Sequence, residues 1–479
     1  MKNPVDPSRD IIARWSRGPS GRGFDAGSLA LLQEAGVNVV LLPWPGEAGT
    51  AEFARACRAV GIMPVADLSA APDAAESARA AGFAGLAIEA RDQASLRAFI
   101  DRHRDLSLLV FLTYQQIAWD VAPAHAVLKA GQWPGIRSEP TDRDPDVFLA
   151  SATREPWIDA NAYLVAYLRA MFPRRPALLG YRPDAAAGVS QDRMVPYGTL
   201  EAALAEAVAA GGSFLLSLDD AYFAALLEGQ PRARAAWRSL GQTVRFLREQ
   251  AAVFRQPNRA RVAFLAESVE QAAELLNLMY RRHVCPVILP VRAVPALDPA
   301  RWRAVVAADL TPTVDVRQKL LDYARAGGLL MTVPAAGAAP SWWLVSGMRK
   351  TRTDLDRDWY ALGRGRVIAY REPVSDPGEF ALDVIDAVGV RTRDLRLVNA
   401  GAVLGLVAGE PGGARAVVTL ISYGSTRDRE FLVRVDGLFG KATLSQPGAA
   451  PTPLKTAHRG ALTEVVVDRL ERLAVIVLE

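Results

Sequence analysis

The chain has 479 residues, too long for one ordinary hydrophobic core, so about two to four domains are expected. Half of the residues are hydrophobic and 23% are charged, a globular composition and not a disordered one. Lys and Arg (56) nearly balance Asp and Glu (52), and the arginines are scattered without a basic, aromatic-laced stripe, so nucleic-acid binding is not expected.

Short apolar segments alternate with amphipathic ones through the first 255 residues. The predicted strands cover 10–15, 38–44, 63–68, 83–89, 107–114, 133–138, 177–181 and 213–218. Between most of them lie Ala/Leu-rich stretches such as AEFARACRAVG and LEAALAEAVAAGG, several ending in Gly as a helix C-terminus does. Eight strands with intervening helices predict a (β/α)8 barrel over residues 1–256. The link before the sixth strand, AWDVAPAHAVLKAGQ, is short and broken by proline, and 231–254 reads as a closing helix. A second alternating unit over 257–390 predicts a small flavodoxin-like α/β domain. It has no Gly-rich phosphate loop; AGG at 326–328 reads as a helix stop. From 391 to 479 the pattern turns to period two with Gly, Pro, Asp and Ser turns, which predicts a C-terminal antiparallel β-sandwich.

Cys57 and Cys285 fall in different predicted domains, and His103, His125, His283 and His458 are widely spread, so neither a disulfide framework nor a metal site is expected. No cofactor is expected. No apolar run reaches the length of a membrane span. The start, MKNPVDPSRD, lacks a signal-peptide core. A cytoplasmic protein is therefore expected, or an exported one whose signal has been removed.

Barrel chemistry sits at the C-terminal ends of the strands. Those ends carry Arg14 and Trp15, Trp44, Asp67, Glu89, Tyr114, Trp133 with Glu139, then Tyr181, Arg182 and Asp184, and finally Asp219 and Asp220. Carboxylates beside flat aromatic rings suit a sugar: one acid protonates the leaving oxygen, a second carboxylate attacks or activates water, and the rings stack on pyranose faces. Glu89, Asp184 and Asp219 are the catalytic candidates; Trp15, Trp44, Asp67, Tyr114, Trp133, Glu139, Tyr181 and Arg182 are the substrate-binding candidates. Each has a structural alternative. Trp15 and Trp44 also suit a cap on the barrel core, Asp219 or Asp220 an N-cap, and Asp184 a turn after Pro183. Glu89 has Arg91 as a possible ion-pair partner, while Asp92 is the better N-cap of the next helix. Glu155, Trp157, Asp159 and Asn161 read as a polar helix start. Trp342 and Trp343 read as a flap over the mouth or an oligomer contact.

The order of barrel, flavodoxin-like domain and short β-sandwich resembles family 42 β-galactosidases and related clan A glycoside hydrolases, over nearly the whole chain. In that family an Asn-Glu pair ends strand four, with Glu as acid/base, and a second Glu ends strand seven as nucleophile. Glu89 matches the first position by topology, with Ile88 in place of Asn; ALLGYRPD ends strand seven without a Glu. The resemblance implies a glycoside hydrolase of oligo- or polysaccharides, needing no metal and assembling as a homo-oligomer, a trimer through the middle domain. The two departures leave a catalytically silent carbohydrate-binding or scaffold protein as the alternative.

Overall fold

Eight parallel strands form the first sheet: β1 (Ile12–Arg14), β2 (Val39–Pro43), β3 (Met63–Asp67), β4 (Gly85–Glu89), β5 (Ser107–Leu112), β6 (His125–Leu128), β7 (Leu178–Leu179) and β8 (Ser213–Phe214). Bonds from Arg14 N to Leu216 O and from Leu216 N to Ile12 O, each 2.8 Å, close β8 onto β1 and make a barrel. The computed structural model describes residues 5–18, 21–131, 160–184, 195–335, 341–389, 393–400, 402–423 and 430–479. Residues two apart on a strand share a face. Ile12, Leu41, Val65, Ala87, Leu109 and Val127 therefore point inward and fill the barrel as one buried cluster. Val5 joins that cluster, and its carbonyl lies 2.9 Å from His125 Nε2.

Helices cover the outside: α1 (Ala26–Glu34), α2 (Thr50–Ala59), α3 (Ala75–Ala80), α4 (Gln93–Arg102), α5 (Ala162–Met171), α6 (Thr199–Ala209), α7 (Asp220–Glu228), α8 (Pro231–Glu249) and the short α9 (Ala251–Phe254). Asp25, Asp92 and Asp219 cap α1, α4 and α7 by accepting a backbone N–H three residues on. The closing helix α8 is locked by Trp237, fully buried, whose indole N–H donates to Leu31 O at 2.9 Å.

The sixth strand is not where periodicity put it. It is His125–Leu128, inside the segment read as a linker, and the predicted 133–138 lies outside the described residues. A 3-10 turn at Tyr114–Gln116, stabilised by a Thr113/Gln116 capping box, stands in the β5–β6 link where a helix would be expected. A four-residue strand preceded by Pro123 carries too little periodicity to be seen in sequence.

A flavodoxin-like α/β layer follows: β9 (Val262–Ala266), α10 (Val269–Arg281), β10 (Val287–Pro290), β11 (Ala304–Ala308), α11 (Val314–Arg325), β12 (Leu329–Val333), β13 (Arg349–Thr353), β14 (Arg357–Leu362), β15 (Gly365–Tyr370) and α12 (Pro377–Val388). Its sheet order is β10-β9-β11-β12-β15-β14-β13, parallel as far as β15 and antiparallel in the β15–β14 and β14–β13 pairs. The β13–β14 hairpin lies between β12 and β15 in sequence, and its edge strand RKTRT is exposed along its length, the charged edge that deters pairing with another sheet. Trp343 is buried, with its ring centroid 4.9 Å from that of Tyr360. Trp342, partly buried, packs against the same cluster, so both rings, read from sequence as a flap or an oligomer contact, pack into the core of the α/β layer.

The last part is an antiparallel sandwich of β16 (Leu395–Val398), β17 (Val403–Ala408), β18 (Ala416–Ser422), β19 (Phe431–Asp436), β20 (Ala442–Ser445), β21 (Thr452–Leu454), β22 (Thr456–Arg459), β23 (Leu462–Val467) and β24 (Leu473–Leu478). One sheet runs β16-β19-β23-β22 and the other β17-β18-β24-β20-β21. Strand β18 is buried on both faces: Val418 and Leu420 enter the sandwich core, while Val417 and Ile421 join the core that includes the barrel helices. Helix α6 lies against β18, and most of its length is buried, as expected of a helix packed from both sides.

Candidate functional site

The inward rows of the barrel are apolar until their last step. Ile12 leads to Arg14, Val65 to Asp67, Ala87 to Glu89 and Val127 to Lys129, each two residues further along its strand. The register sets Asp67 beside Ala87, so Glu89 stands one inward step above Asp67 on the adjacent strand. All four side chains line a cavity of about 590 Å³ at the C-terminal mouth, with Arg182 and Asp184 after β7. Two glycines keep it open. A Cβ on inward-facing Gly180 would sit 2.3 Å from Val127 Cγ1, and one on Gly131 (φ 133°) would sit 2.7 Å from both Asn161 and Tyr181.

Asp67 is the most constrained carboxylate of the cavity. Its Oδ2 takes Arg14 Nη1 at 2.5 Å and Arg182 Nη2 at 3.3 Å, and its Oδ1 accepts from the backbone N–H and hydroxyl of Ser69 at 3.2 and 2.6 Å. The Arg14 guanidinium also lies 4.3 Å above the Phe111 ring, and burial pushes it down to about 10, against the pull of Asp67. Its Nε is buried with no hydrogen-bond partner among the described residues. Glu89 Oε1 meets Lys129 Nζ at 2.6 Å, and this pair is far more open, with 43% and 31% of the side chains exposed. Asp184 is exposed at the rim. Fixed charge deep in the mouth and accessible charge above it is an arrangement that can orient a polar ligand below and act on it above.

The aromatic candidates fall elsewhere. Trp15 follows inward-facing Arg14 and so faces out; it is 2% exposed, donates its indole N–H to Gly23 O at 2.8 Å and packs edge-on against Phe223. Trp44 likewise faces away from the cavity, donating to Ser77 Oγ at 2.9 Å and packing on Phe83. Tyr114 sits in the turn after β5, packed against the core. Its phenol is pushed up by burial. None of these three lines the mouth. Tyr181 does, but it is buried and accepts from Asn161 Nδ2 at 2.6 Å. Burial drives its phenol well up, so it serves as a neutral hydrogen-bonding wall. Asp219 is the N-cap of α7, accepting from Tyr222 N at 2.9 Å, and does not line the cavity. Burial pushes its carboxyl up, with backbone N–H bonds opposing. Trp133, Glu139, Glu155, Trp157 and Asp159 lie outside the described residues.

Sequence reasoning missed Lys129 because it misplaced the sixth strand; alternation through His125, Val127 and Lys129 is the signal that finds it. Asn161, read as part of a polar helix start, does stand at the N-terminus of α5, and its side chain holds Tyr181. Among the described residues, no group of three or more His, Cys, Asp or Glu side chains is placed to hold a metal ion. No described helix is long and apolar enough to cross a membrane.

No protein-family model matches the chain, and no curated protein matches it by sequence. Solved structures do resemble it. The α-L-fucosidase isoenzyme 2 from Paenibacillus thiaminolyticus aligns over 99% of this chain and 100% of its own, at TM-score 0.57 and 11% identity. The exo-β-1,4-mannosidase Op5Man5 from Opitutaceae bacterium strain TAV5 aligns over 80% of this chain and 95% of its own (TM-score 0.44, 12% identity). The rhamnosidase from Novosphingobium sp. PP1Y aligns over 81% of this chain and 38% of its own (0.42, 14%). The fold resembles that of the fucosidase structure over nearly the whole chain. At such identities the likeness is one of fold.

Proposed function

We propose that this chain is a glycoside hydrolase that takes the end of an oligo- or polysaccharide into the barrel mouth. The observation that carries the reading is the convergence of Asp67, Glu89 and Asp184, from three different strand ends, on one open cavity. Glu89 is the accessible carboxyl of the inner ring and gives the proton to the leaving glycosidic oxygen as the C–O bond breaks. Asp184 supplies the second carboxylate, attacking the anomeric carbon or activating water. Asp67 is the anchor: with Arg14, Arg182 and Ser69 on it, it fixes the floor and leaves Arg182 positioned toward substrate hydroxyls. On this reading the domain order is that of family 42, and a trimer through the middle α/β layer belongs to the same reading.

A specific observation favours the second reading, a carbohydrate-binding protein without turnover. Glu89 is held by Lys129 at 2.6 Å, and Asp67 by two arginines, so both carboxylates of the inner ring already have cationic partners. The test is hydrolysis of a panel of aryl glycosides, an α-L-fucoside among them, and of natural oligosaccharides, by wild type, Glu89→Gln and Asp184→Asn. Turnover that collapses in both variants supports the hydrolase. Turnover that ignores them removes these residues from the chemistry. Sugar binding by calorimetry with no turnover across the panel supports the second reading.

A further inference from the structure

The opposite end of the barrel has a cavity of its own, of about 480 Å³, formed where the chain enters β1, β7 and β8. Its walls are of two kinds. Val244, Leu247 and Phe254 give an apolar floor, while Arg9, Arg169, Arg248 and Arg255 stand around it. The break between α8 and α9 at Gln250 makes this possible, because it turns Phe254 and Arg255 toward the same space as Leu247 and Arg248. Gly211, which also lines the cavity, is left-handed (φ 87°), and the Arg169 guanidinium lies against it, 2.4 Å from where a Cβ would stand.

The charge at this cavity is unbalanced. Asp10 lines it, but its oxygens already accept from Asn38 Nδ2 at 2.5 Å and Asp6 N at 2.6 Å. Arg9 reaches Asp6 at 3.5 Å. Arg169 and Arg248 each donate one N–H to a carbonyl oxygen, Ala210 O at 3.0 Å and Gly36 O at 2.8 Å, which props the guanidinium at the rim with other N–H groups left over. The side chain of Arg255 makes no hydrogen bond or ion pair to any described residue. The two carbonyl contacts have an ordinary structural reading, since cations suit helix C-termini. That reading covers neither Arg255 nor the apolar hollow between the arginines. Guanidinium groups present fork-like donors that match a carboxylate or sulfonate, and a cavity of this size accepts a small organic molecule.

We propose that this cavity at the closed end of the barrel binds a small organic anion, its charged head on Arg248 and Arg255 and its apolar body on Leu247 and Phe254. The site is independent of the barrel mouth and of any sugar chemistry there. The test is calorimetric titration of the full chain with octanoate, and with octylamine as the cationic counterpart. Octanoate is expected to bind at one saturable site, about tenfold or more tighter than octylamine. Arg255→Glu, a change at an exposed side chain without partners, weakens octanoate about tenfold and leaves the melting temperature unchanged. Ala251→Trp, which fills the hollow and keeps every arginine, abolishes binding. No saturable octanoate binding, equal binding of octylamine, or octanoate binding indifferent to Arg255→Glu would each overturn the proposal.

Discussion

Two clusters in this molecule press arginines against aspartates, and they do different things. At the seam between the α/β layer and the sandwich, Arg261 binds Asp394 through its backbone N–H and side chain, at 2.7 and 2.8 Å, and also binds Asp436. Arg303 reaches Asp436 at 3.4 Å, and Arg259 donates to the carbonyls of Glu410, Arg415 and Asp436. At the barrel mouth Arg14 and Arg182 hold Asp67 in much the same way. The chemistry of the pairs is alike; the surroundings are not. The mouth keeps a cavity of about 590 Å³ with Glu89 and Asp184 accessible above the locked pair. The seam's carboxylates are spent on joining two layers. Asp394 at the seam borders a cavity of only about 30 Å³, so what marks a charge cluster as a candidate site here is the size of the empty space beside it, not the charges themselves.

Exchanging the two clusters' roles by mutation is the sharpest way to break that distinction. Glu89→Gln is expected to lower kcat/KM by about 10²–10⁴ and to move stability by less than about 1 kcal/mol. Asp394→Asn should do the reverse, costing about 3 kcal/mol of stability because Arg261 loses a half-buried partner, with turnover per folded molecule unchanged. Thermal unfolding and aryl-glycoside assays on the same preparations check both. If the two variants shift the same observable, the distinction is empty.

Asp67→Asn probes the place where the two roles overlap. Arg14 would keep its contact with Phe111 but lose the anion that offsets its burial, so about 2 kcal/mol of stability is expected to go. Turnover should fall as well, since Arg182 is released. Pairing Asp67→Asn with Arg14→Met should return part of the stability and none of the turnover. A double variant as unstable as the single one would show that burial of Arg14 is not the cost.

The seam has a pH response of its own. His283 Nε2 lies 2.7 Å from Val403 O on the sandwich, and burial holds its imidazole down to about 4. Between an ordinary value near 6.5 and that level the unfolded chain takes up the proton before the folded one does. Stability from this group is therefore complete above about pH 6.5 and is lost as pH falls toward 4, by about 1 kcal/mol at pH 5 after allowance for partial exposure. His283 is left-handed (φ 58°), a conformation Asn tolerates. His283→Asn should show a shallower fall in melting temperature from pH 7 to 5 than wild type; parallel curves would refute the assignment.

How much of this was legible in the sequence depends on how far each element's periodicity runs. Seven of the eight barrel strands and the two later layers stand where alternation and Gly-punctuated helices put them. The sixth strand, four residues long, did not announce itself, and the error carried Lys129 out of view. Charged residues at strand ends were readable as a rim. Which of them face inward follows from counting by twos from a correctly placed strand, and that count separates Arg14 from Trp15 and Pro43 from Trp44. Aromatic residues near a strand end are weak evidence of a sugar platform, because the same rings fit the layer between barrel and helices, where Trp15 sits against Phe223. Asp219 shows the other limit: a carboxylate after a strand and before a helix is often an N-cap.

Lys129 supplies the smallest and most discriminating effect. Its pair with Glu89 is solvent-open, so Lys129→Met should change stability by less than about 1 kcal/mol. A purely structural ion pair would leave it at that. If Glu89 works on substrate, however, the ammonium 2.6 Å away sets where its carboxyl points. Lys129→Met should then lower kcat about tenfold with little change in KM, because the loss falls on the reacting arrangement and not on uniform binding. Lys129→Arg, which keeps the charge and the reach, should recover most of it. A variant that alters KM alone would move Lys129 from the catalytic pair to the binding wall and bring the mouth closer to the seam: charges that hold, without charges that act.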